Sequence, residues 1–233
     1  PFTGTMPDED LTLYAKWTPE DRTYFIIYEK QNLQGIYETA DIVEGTAEIG
    51  SYITPADMGY EGFTAPEIQT EQIVANRANR FVIQYKRNRH TVTFKLKNGQ
   101  SDVVRKGYYG SEVTAPVPSR TGYTFLGWGE KVADTMPDED LTYTAQWQVN
   151  SYKVSFMVDG EDLGDTYQYG ETIKIPEDPT KDGYTFLGWS GEIPQTTPWY
   201  NVSVSAMWKL DRYPISYDLD GGSEYENPTT YTY

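Results

Sequence analysis

The stretch Gly122–Trp128 reads Gly-Tyr-Thr-Phe-Leu-Gly-Trp, and the same seven residues return at Gly183–Trp189. The two copies begin 61 residues apart. A second tryptophan follows each copy at the same distance, Trp147 after the first and Trp208 after the second. Self-similarity at a fixed period is typical of proteins built from tandem repeats. The sequence therefore predicts an array of small modules, and the question of function becomes what such an array does.

A longer repeat links the beginning of the chain to its middle. Residues 5–12 and 135–142 both read Thr-Met-Pro-Asp-Glu-Asp-Leu-Thr, 130 residues apart. This offset fits one Trp-containing module plus one module of a second kind, which contains no tryptophan. We therefore divide the chain into the closing strand of a truncated repeat (1–17), the Trp-less module (18–88), the first Trp module (89–148), the second Trp module (149–209) and the opening strand of another truncated repeat (210–233).

Each Trp module is predicted to begin and end with a β-strand. Apolar and polar residues alternate in 91–97 and 152–158 at the beginning, and in 141–147 and 202–208 at the end. Alternation with a period of two predicts strands that have one buried face. No stretch shows the 3.6-residue period of a long helix. We expect a mostly β protein in which any helices are short and the four repeated tryptophans anchor the module cores.

The composition narrows the function classes. The 233 residues carry 19 basic and 35 acidic side chains, a net charge of −16, and 15% of them are aromatic. A chain this acidic has little electrostatic attraction for nucleic acid or anionic lipid. No apolar run is long enough to cross a membrane as a helix, and a chain without cysteine has no disulfide framework. Modules of about 60 to 70 residues bury a modest share of their surface, so aromatic packing is expected to stabilise them.

The Trp modules resemble the Listeria–Bacteroides repeat, the internalin-type B-repeat. The resemblance rests on the opening strand, a short hairpin, the Gly-Tyr-Thr-Phe-Leu-Gly-Trp segment and the closing Leu-Thr-Tyr-Thr-Ala-Gln-Trp of 141–147. The Trp-less module is similar to mucin-binding-protein-like modules, through Tyr24–Tyr28, Gln31–Gly35, Gly59–Thr64 and Phe81–Tyr85. The resemblance implies small α+β modules of the β-grasp, ubiquitin-like class, arrayed on secreted or wall-attached bacterial proteins as stalks or adhesins. It brings no catalytic residues with it.

The sequence offers little for catalysis or metal binding. His90 is the only histidine, and with no cysteine present a zinc site of the usual kind is not available. The acidic triplets at 8–10 and 138–140 could form a calcium site, a glycosidase pair or a solvated turn. We favour the turn, because each triplet follows Met-Pro and precedes a closing strand. We therefore expect no enzyme, no cofactor and no bound metal.

Exposed aromatic side chains are the remaining candidates for a binding surface. Trp199 lies in an irregular stretch after residues 194–198, and the first Trp module has no counterpart of this tryptophan. The chain has 21 tyrosines, too many for the module cores, and exposed tyrosine offers a large contact area at low entropic cost. The alternative is ordinary cross-strand aromatic pairing. The candidate surface residues are Trp199, Tyr108, Tyr109, Tyr167 and Tyr169, with Tyr225, Tyr231 and Tyr233 as further tyrosines.

The sequence favours a segment of a Gram-positive bacterial cell-surface protein that acts as an elongated stalk or spacer, with adhesion as an additional role. The alternative is a module that binds a host glycoprotein, a mucin glycan or an immunoglobulin. We expect a monomer with no nucleic-acid partner and no membrane insertion. The terminal strands could pair within or between molecules, because a lone strand has unpaired edges. The linkers 148–151 and 209–212 are expected to permit limited bending.

Overall fold

The computed structural model describes residues 8, 10, 12–16, 18–223 and 226–233. In this part of the chain the regular structure consists of strands and contains no helix, so none that could cross a membrane is present there. The prediction of a mostly β protein is confirmed. The strands are β1 (Asp21–Gln31), β2 (Tyr37–Glu48), β3 (Tyr52–Ile53), β4 (Phe63–Thr64), β5 (Glu71–Gln72), β6 (Asn79–Arg87), β7 (Arg89–Lys95), β8 (Val103–Tyr108), β9 (Tyr123–Gly127), β10 (Leu141–Thr144), β11 (Gln146–Val149), β12 (Ser151–Val158), β13 (Glu161–Asp162), β14 (Asp165–Gln168), β15 (Tyr184–Trp189), β16 (Val202–Leu210), β17 (Arg212–Pro214) and β18 (Thr230–Thr232).

The Trp-less module is built on a four-stranded sheet in the order β2-β1-β6-β4. Its first strand, β1, forms an antiparallel hairpin with β2 and pairs in parallel with β6, where Tyr24 lies opposite Asn79. Along β6 buried and exposed residues alternate, as the strand period of two requires. Buried apolar residues of β1 and β6 form one core with Ile73, which follows β5; its members are Ile26, Tyr28, Ile73, Phe81, Ile83 and Tyr85.

The second Trp module, like the Trp-less module, has two parallel strands at its centre, but the outer edge of this pair is covered by a longer strand. The strand order is β13-β12-β16-β15, and β14 also pairs with β12. Strands β12 and β16 are parallel, while β15 runs antiparallel along the outer edge of β16. The core consists of Val154, Phe156, Tyr167, Ile173 and Val204, and Trp189 packs against it.

The first Trp module contains a three-stranded sheet, β10-β7-β8, and a two-stranded sheet, β11-β9. The apolar residues predicted to face inward from the opening strand are buried, with Val92 and Phe94 at 0% exposure and Leu96 at 5%. The prediction of the buried strand face is therefore confirmed. It extends to β12, where Val154 and Phe156 are likewise at 0%.

The repeated tryptophans form the same aromatic cluster in both Trp modules. The ring centroids of Phe94 and Trp128 lie 4.8 Å apart, and those of Phe156 and Trp189 lie 5.0 Å apart. A second phenylalanine then joins the two tryptophans of each module. Phe125 lies 5.3 Å from Trp128 and 5.4 Å from Trp147. Phe186 lies 5.4 Å from Trp189 and 5.5 Å from Trp208. Trp128 is buried, as predicted for a core anchor, whereas Trp147, Trp189 and Trp208 are half-buried rings that pack against these phenylalanines.

The chain forms two compact units. The first contains the described residues up to Thr93 together with Val104–Thr114 and Ala133–Thr142, and the second contains Phe94–Val103, Ala115–Val132 and Tyr143–Tyr233. The division passes through the first Trp module. The module boundaries given above are read from the sequence repeats and stay predictions.

The two end segments differ from the strands predicted for them. Residues 12–16 are exposed and form no strand, while Leu11 and Trp17 of the predicted closing strand lie outside the described residues. In the segment 210–233, predicted to hold the opening strand of a truncated repeat, β17 ends at Pro214 and its partner within the described residues is β18. Strands without a second neighbour are marginally stable.

Candidate functional site

The side chains best suited to acid–base chemistry are joined to one another by hydrogen bonds. His90 Nε2 lies 2.9 Å from an Asp138 carboxylate oxygen, and its Nδ1 lies 3.6 Å from Asp140. Asp138 also accepts hydrogen bonds from the Asn88 side-chain amide at 2.7 Å and the Gly62 backbone N–H at 3.0 Å. These bonds, that from Asn88 above all, lower the pKa of Asp138. Both oxygens of this carboxylate therefore hold protein N–H groups, an arrangement typical of a structural anchor.

Asp140, in the same acidic triplet, also accepts a hydrogen bond from the backbone. Asp140 accepts a hydrogen bond from the Thr91 N–H at 2.7 Å. Asn201 holds the equivalent place in the second Trp module, where it accepts from the Lys153 N–H at 2.9 Å. Among the described residues no three histidine, cysteine or acidic side chains converge as a metal site would require. In the triplet 8–10, Asp8 and Asp10 are exposed and Glu9 lies outside the described residues.

Two of the candidate tyrosines pack onto glycine turns. Tyr109 lies over Gly62 and Tyr169 over Gly122, so closely that a Cβ at either glycine would overlap the tyrosine ring. Tyr169 also makes an edge-to-face contact with Tyr123, with the ring centroids 6.0 Å apart. Both tyrosines are half-buried. The contacts could not be predicted from a single module, because each ring lies in the module that follows the module of its glycine.

The other tyrosines have mixed outcomes. Tyr167 was predicted as a surface residue and is instead buried at 8% exposure in the core beside Val154, because it lies on the inward face of β14. Tyr108 is exposed at 41%, with the Arg89 guanidinium 5.8 Å from its ring centroid. Tyr231 and Tyr233 are exposed, and Tyr225 lies outside the described residues.

Trp199 forms an exposed aromatic pair that the sequence indicated only in part. Trp199 is 61% exposed, Tyr200 is 50% exposed, and their rings meet edge to face at 5.5 Å. The pair stands where the first Trp module has Asp138 and Glu139. The sequence singled out Trp199 and missed Tyr200. The signal that could have found Tyr200 is its place beside Trp199 in an irregular, Pro-containing stretch.

A cleft of about 450 Å³ lies on the Trp-less module. It runs beside β6, with Pro66, Glu67 and Glu71 among its lining residues and Arg80 and Val82 contributed by the strand. Strand β4 pairs with β6 only at Arg87 and Lys86. Among the described residues no other strand pairs with that edge of β6, so the cleft is a consequence of an incomplete sheet edge.

Residues 90–146 and 152–207 match the family model of the Listeria-Bacteroides repeat domain. Two segments of the chain match one known repeat. The matched Listeria–Bacteroides repeats coincide with the two Trp modules and contain all the aromatic cluster residues except Trp208 and, in the first repeat, Trp147. The likeness of residues 18–88 to mucin-binding-protein-like modules stays a prediction.

Similar proteins extend the comparison beyond the two repeats. Two proteins of Evansella cellulosilytica, whose names call them membrane proteins, are each 28% identical to this chain over 93% and 95% of its length. Internalin H of Listeria monocytogenes is 38% identical over 47% of the chain. The chain spans only 36%, 28% and 22% of these three relatives. The solved structure of the Bacillus anthracis TIE protein aligns with 80% of this chain and 50% of its own, at 9% identity and a TM-score of 0.45.

Proposed function

We propose that this chain is a non-catalytic stalk or spacer segment of a bacterial cell-surface protein. The observation that carries the proposal is that the repeated aromatic residues pack in the same way in successive modules. Trp128 and Trp189 pack in equivalent clusters, and Tyr109 and Tyr169 pack on equivalent glycine turns. Identical packing in successive modules is what a repeat array needs for stability. The names of the relatives, two membrane proteins and an internalin, support a place at the cell surface.

The stalk role can be tested by displaying the chain on a bacterial surface with an epitope tag at its N-terminal end. Deletion of residues 149–209 removes one repeat and joins Gln148 to Leu210, which keeps the spacing from tryptophan to linker. We expect the binding of a whole antibody to the tag to fall at least twofold relative to that of a small antibody fragment, because the tag lies closer to the cell. An unrelated folded repeat of the same length should restore binding. Tag access that does not change on deletion would contradict the stalk role.

A second candidate function, recognition of a glycan or host glycoprotein, is favoured by the pair Trp199 and Tyr200. Exposed aromatic residues of this kind are enriched in binding surfaces. Binding of the purified chain to a glycan and host-protein array tests it. Trp199→Ala should abolish any such signal, whereas Val117→Ala, at an 88% exposed position of the first Trp module, should leave it unchanged. The absence of binding at micromolar concentration would remove this candidate.

A further inference from the structure

The same glycine turn occurs in each module, and in each case it is hydrogen-bonded to the linker that follows the module. The turns are Gly62-Phe63-Thr64, Gly122-Tyr123-Thr124 and Gly183-Tyr184-Thr185, and their glycines have φ of 79°, 76° and 76°. These values lie in the left-handed region, where a residue with a Cβ is strained. The Trp-less module shares this turn although it lacks the tryptophan cluster. The turn therefore has a role that is separate from the aromatic core.

One linker residue closes each turn in the same way. The backbone N–H groups of Asn88, Asn150 and Asp211 donate to the carbonyl oxygens of the three glycines at 2.9, 2.8 and 2.8 Å. Their side-chain oxygens accept from the hydroxyls of Thr64, Thr124 and Thr185, each at 2.6 Å. The linkers are therefore held by paired bonds. The sequence predicted limited bending at residues 148–151. The structure restricts it, because β11 ends at Val149, β12 begins at Ser151, and Asn150 between them is hydrogen-bonded to the turn.

An aromatic ring from the following module completes each turn. The N–H groups of Tyr109 and Tyr169 donate to the carbonyl oxygens of Asn88 and Asn150, both at 2.9 Å. This bond places each ring over the glycine of the preceding module. Tyr233, delivered by the hairpin β17–β18, packs on Gly183 in the third copy, although it stays 77% exposed. The first copy lies wholly within the first compact unit, and the other two lie within the second.

We propose that the Gly-aromatic-Thr turn of each module is a docking socket whose partner is the aromatic ring presented by the hairpin of the next module. Three observations agree on this. The glycine leaves room that any side chain would fill, and the turn, its bonds to the linker residue and the overlying ring recur in three copies. In the first two copies the linker residue also accepts a hydrogen bond from the hairpin. The joint is therefore a docked contact between modules. This deepens the stalk proposal, on which its biological meaning rests.

The Trp-less module carries the other half of the joint with an aliphatic side chain. The Ile49 N–H donates to the Glu20 carbonyl at 2.9 Å, and the Gly50 N–H donates to Ile73 at 2.8 Å. The same two bonds hold Tyr169 and Gly170 in the second Trp module, to Asn150 and Thr197. Ile49 thus stands at the ring position. The partner that fits it is the Gly-aromatic-Thr turn of a Listeria–Bacteroides repeat.

The joint can be tested in the whole chain by measuring a distance across it. Leu126→Cys and Leu187→Cys place spin labels at equivalent strand positions, 62% and 58% exposed, in the two Trp modules. No native cysteine competes for the label. We expect one narrow distribution of label distances. Gly122→Ala and Tyr169→Ala should each broaden it at least twofold, because the first fills the socket and the second removes the ring.

Two variants serve as matched controls. Tyr169→Phe keeps the ring and should keep the narrow distribution. Gly99→Ala strains a turn of the same module with φ of 85° but with no atom within 4 Å of the added Cβ, and it should also leave the distribution narrow. Near-ultraviolet circular dichroism confirms that the tryptophan clusters stay folded, and Tyr169→Ala avoids backbone strain altogether.

Each outcome decides the proposal. An unchanged width in Gly122→Ala and Tyr169→Ala would overturn it. Equal broadening by Gly99→Ala would also overturn it, since backbone strain alone would then explain the effect. A narrow distribution that broadens as expected, combined with unchanged tag access in the surface display, would refute the stalk and leave the joint in place.

Discussion

The Trp-less module and the second Trp module share a central parallel strand pair and differ in how its outer edge is finished. Strand β15 covers β16 from Leu210 to Ala206. Its counterpart β4 pairs with two residues of β6 only. Pro66 stands where β15 has Leu187, and proline lacks the N–H that would extend the ladder. Leucine at this position thus accompanies a covered sheet edge, and proline accompanies an open cleft.

The two modules also fill their cores by different chemistry. Tyr85 holds the position of Trp208, and its hydroxyl donates to Asp57 at 2.5 Å and accepts from the Met58 N–H at 2.8 Å. Burial and the bond to Asp57 raise the pKa of Tyr85 to about 12. Tyr28 adds a bond to the Ala56 carbonyl at 3.0 Å. The Trp-less module therefore holds its loop by buried hydroxyls, whereas the Trp modules rely on rings packed against rings.

The largest expected effect breaks the aromatic core. Trp189→Ala removes a ring that contacts both Phe156 and Phe186, and it should lower the free energy of unfolding of the second Trp module by about 3–5 kcal/mol. Trp199→Ala, at an exposed position of the same module, should change it by less than about 0.5 kcal/mol. Urea unfolding followed by residue-resolved NMR separates the modules. Similar losses from the two substitutions would contradict the assigned roles.

The next effect tests the hydroxyl core of the Trp-less module. Tyr85→Phe removes the acceptor of the Met58 N–H and the hydroxyl that donates to the Asp57 carboxylate, so we expect a loss of about 1–3 kcal/mol. Tyr52→Phe, at a 66% exposed position, is the control and should be close to neutral. The same NMR-detected urea titration measures both. A neutral Tyr85→Phe would show that ring packing alone holds this core, as in the Trp modules.

A smaller effect distinguishes the two Trp modules. The Trp147 indole N–H donates to the Leu96 carbonyl at 2.9 Å. The indole nitrogens of Trp189 and Trp208 are buried with no hydrogen-bond partner among the described residues. Trp147→Phe should therefore destabilise its module by about 1 kcal/mol more than Trp208→Phe destabilises the second. Equal losses in parallel chemical denaturation would count against a contribution from the indole bond.

The smallest expected effect is the pH dependence of stability that comes from Asp138, which bonds to Gly62 and Asn88 where the Trp-less module meets the first Trp module. Hydrogen bonding lowers the pKa of Asp138 from its ordinary value of 3.8, so its stabilisation is present above that value and is lost as the pH falls through the lower, folded-state pKa. Asp138→Asn should cost at most about 1 kcal/mol at neutral pH and should remove this acid dependence. Stability curves of the two chains between neutral and acid pH measure it. The joint of the second Trp module, where Trp199 replaces the carboxylate, provides the internal control.

The sequence predicted the features that depend on local pattern. The alternation in 152–158 placed Val154 and Phe156 in the core, and the fixed spacing of Trp128 and Trp147 identified the aromatic anchors. It missed contacts that depend on two modules. Tyr167 and Tyr169 lie two residues apart, which suggests one shared face, yet Tyr167 lies in β14 and faces the core while Tyr169 follows the strand and packs on Gly122. A pattern within one module cannot distinguish them.

The repeated glycine turn has a consequence for how such a chain grows. Each module has a glycine turn at one end and a docking side chain at the other, so the contact between modules is head-to-tail. Every added module therefore presents a new turn to which a further module can dock. A gene segment duplicated by unequal recombination then inserts a module that fits both neighbours at once. The seven identical residues of Gly122–Trp128 and Gly183–Trp189 are what duplication under that rule would leave behind.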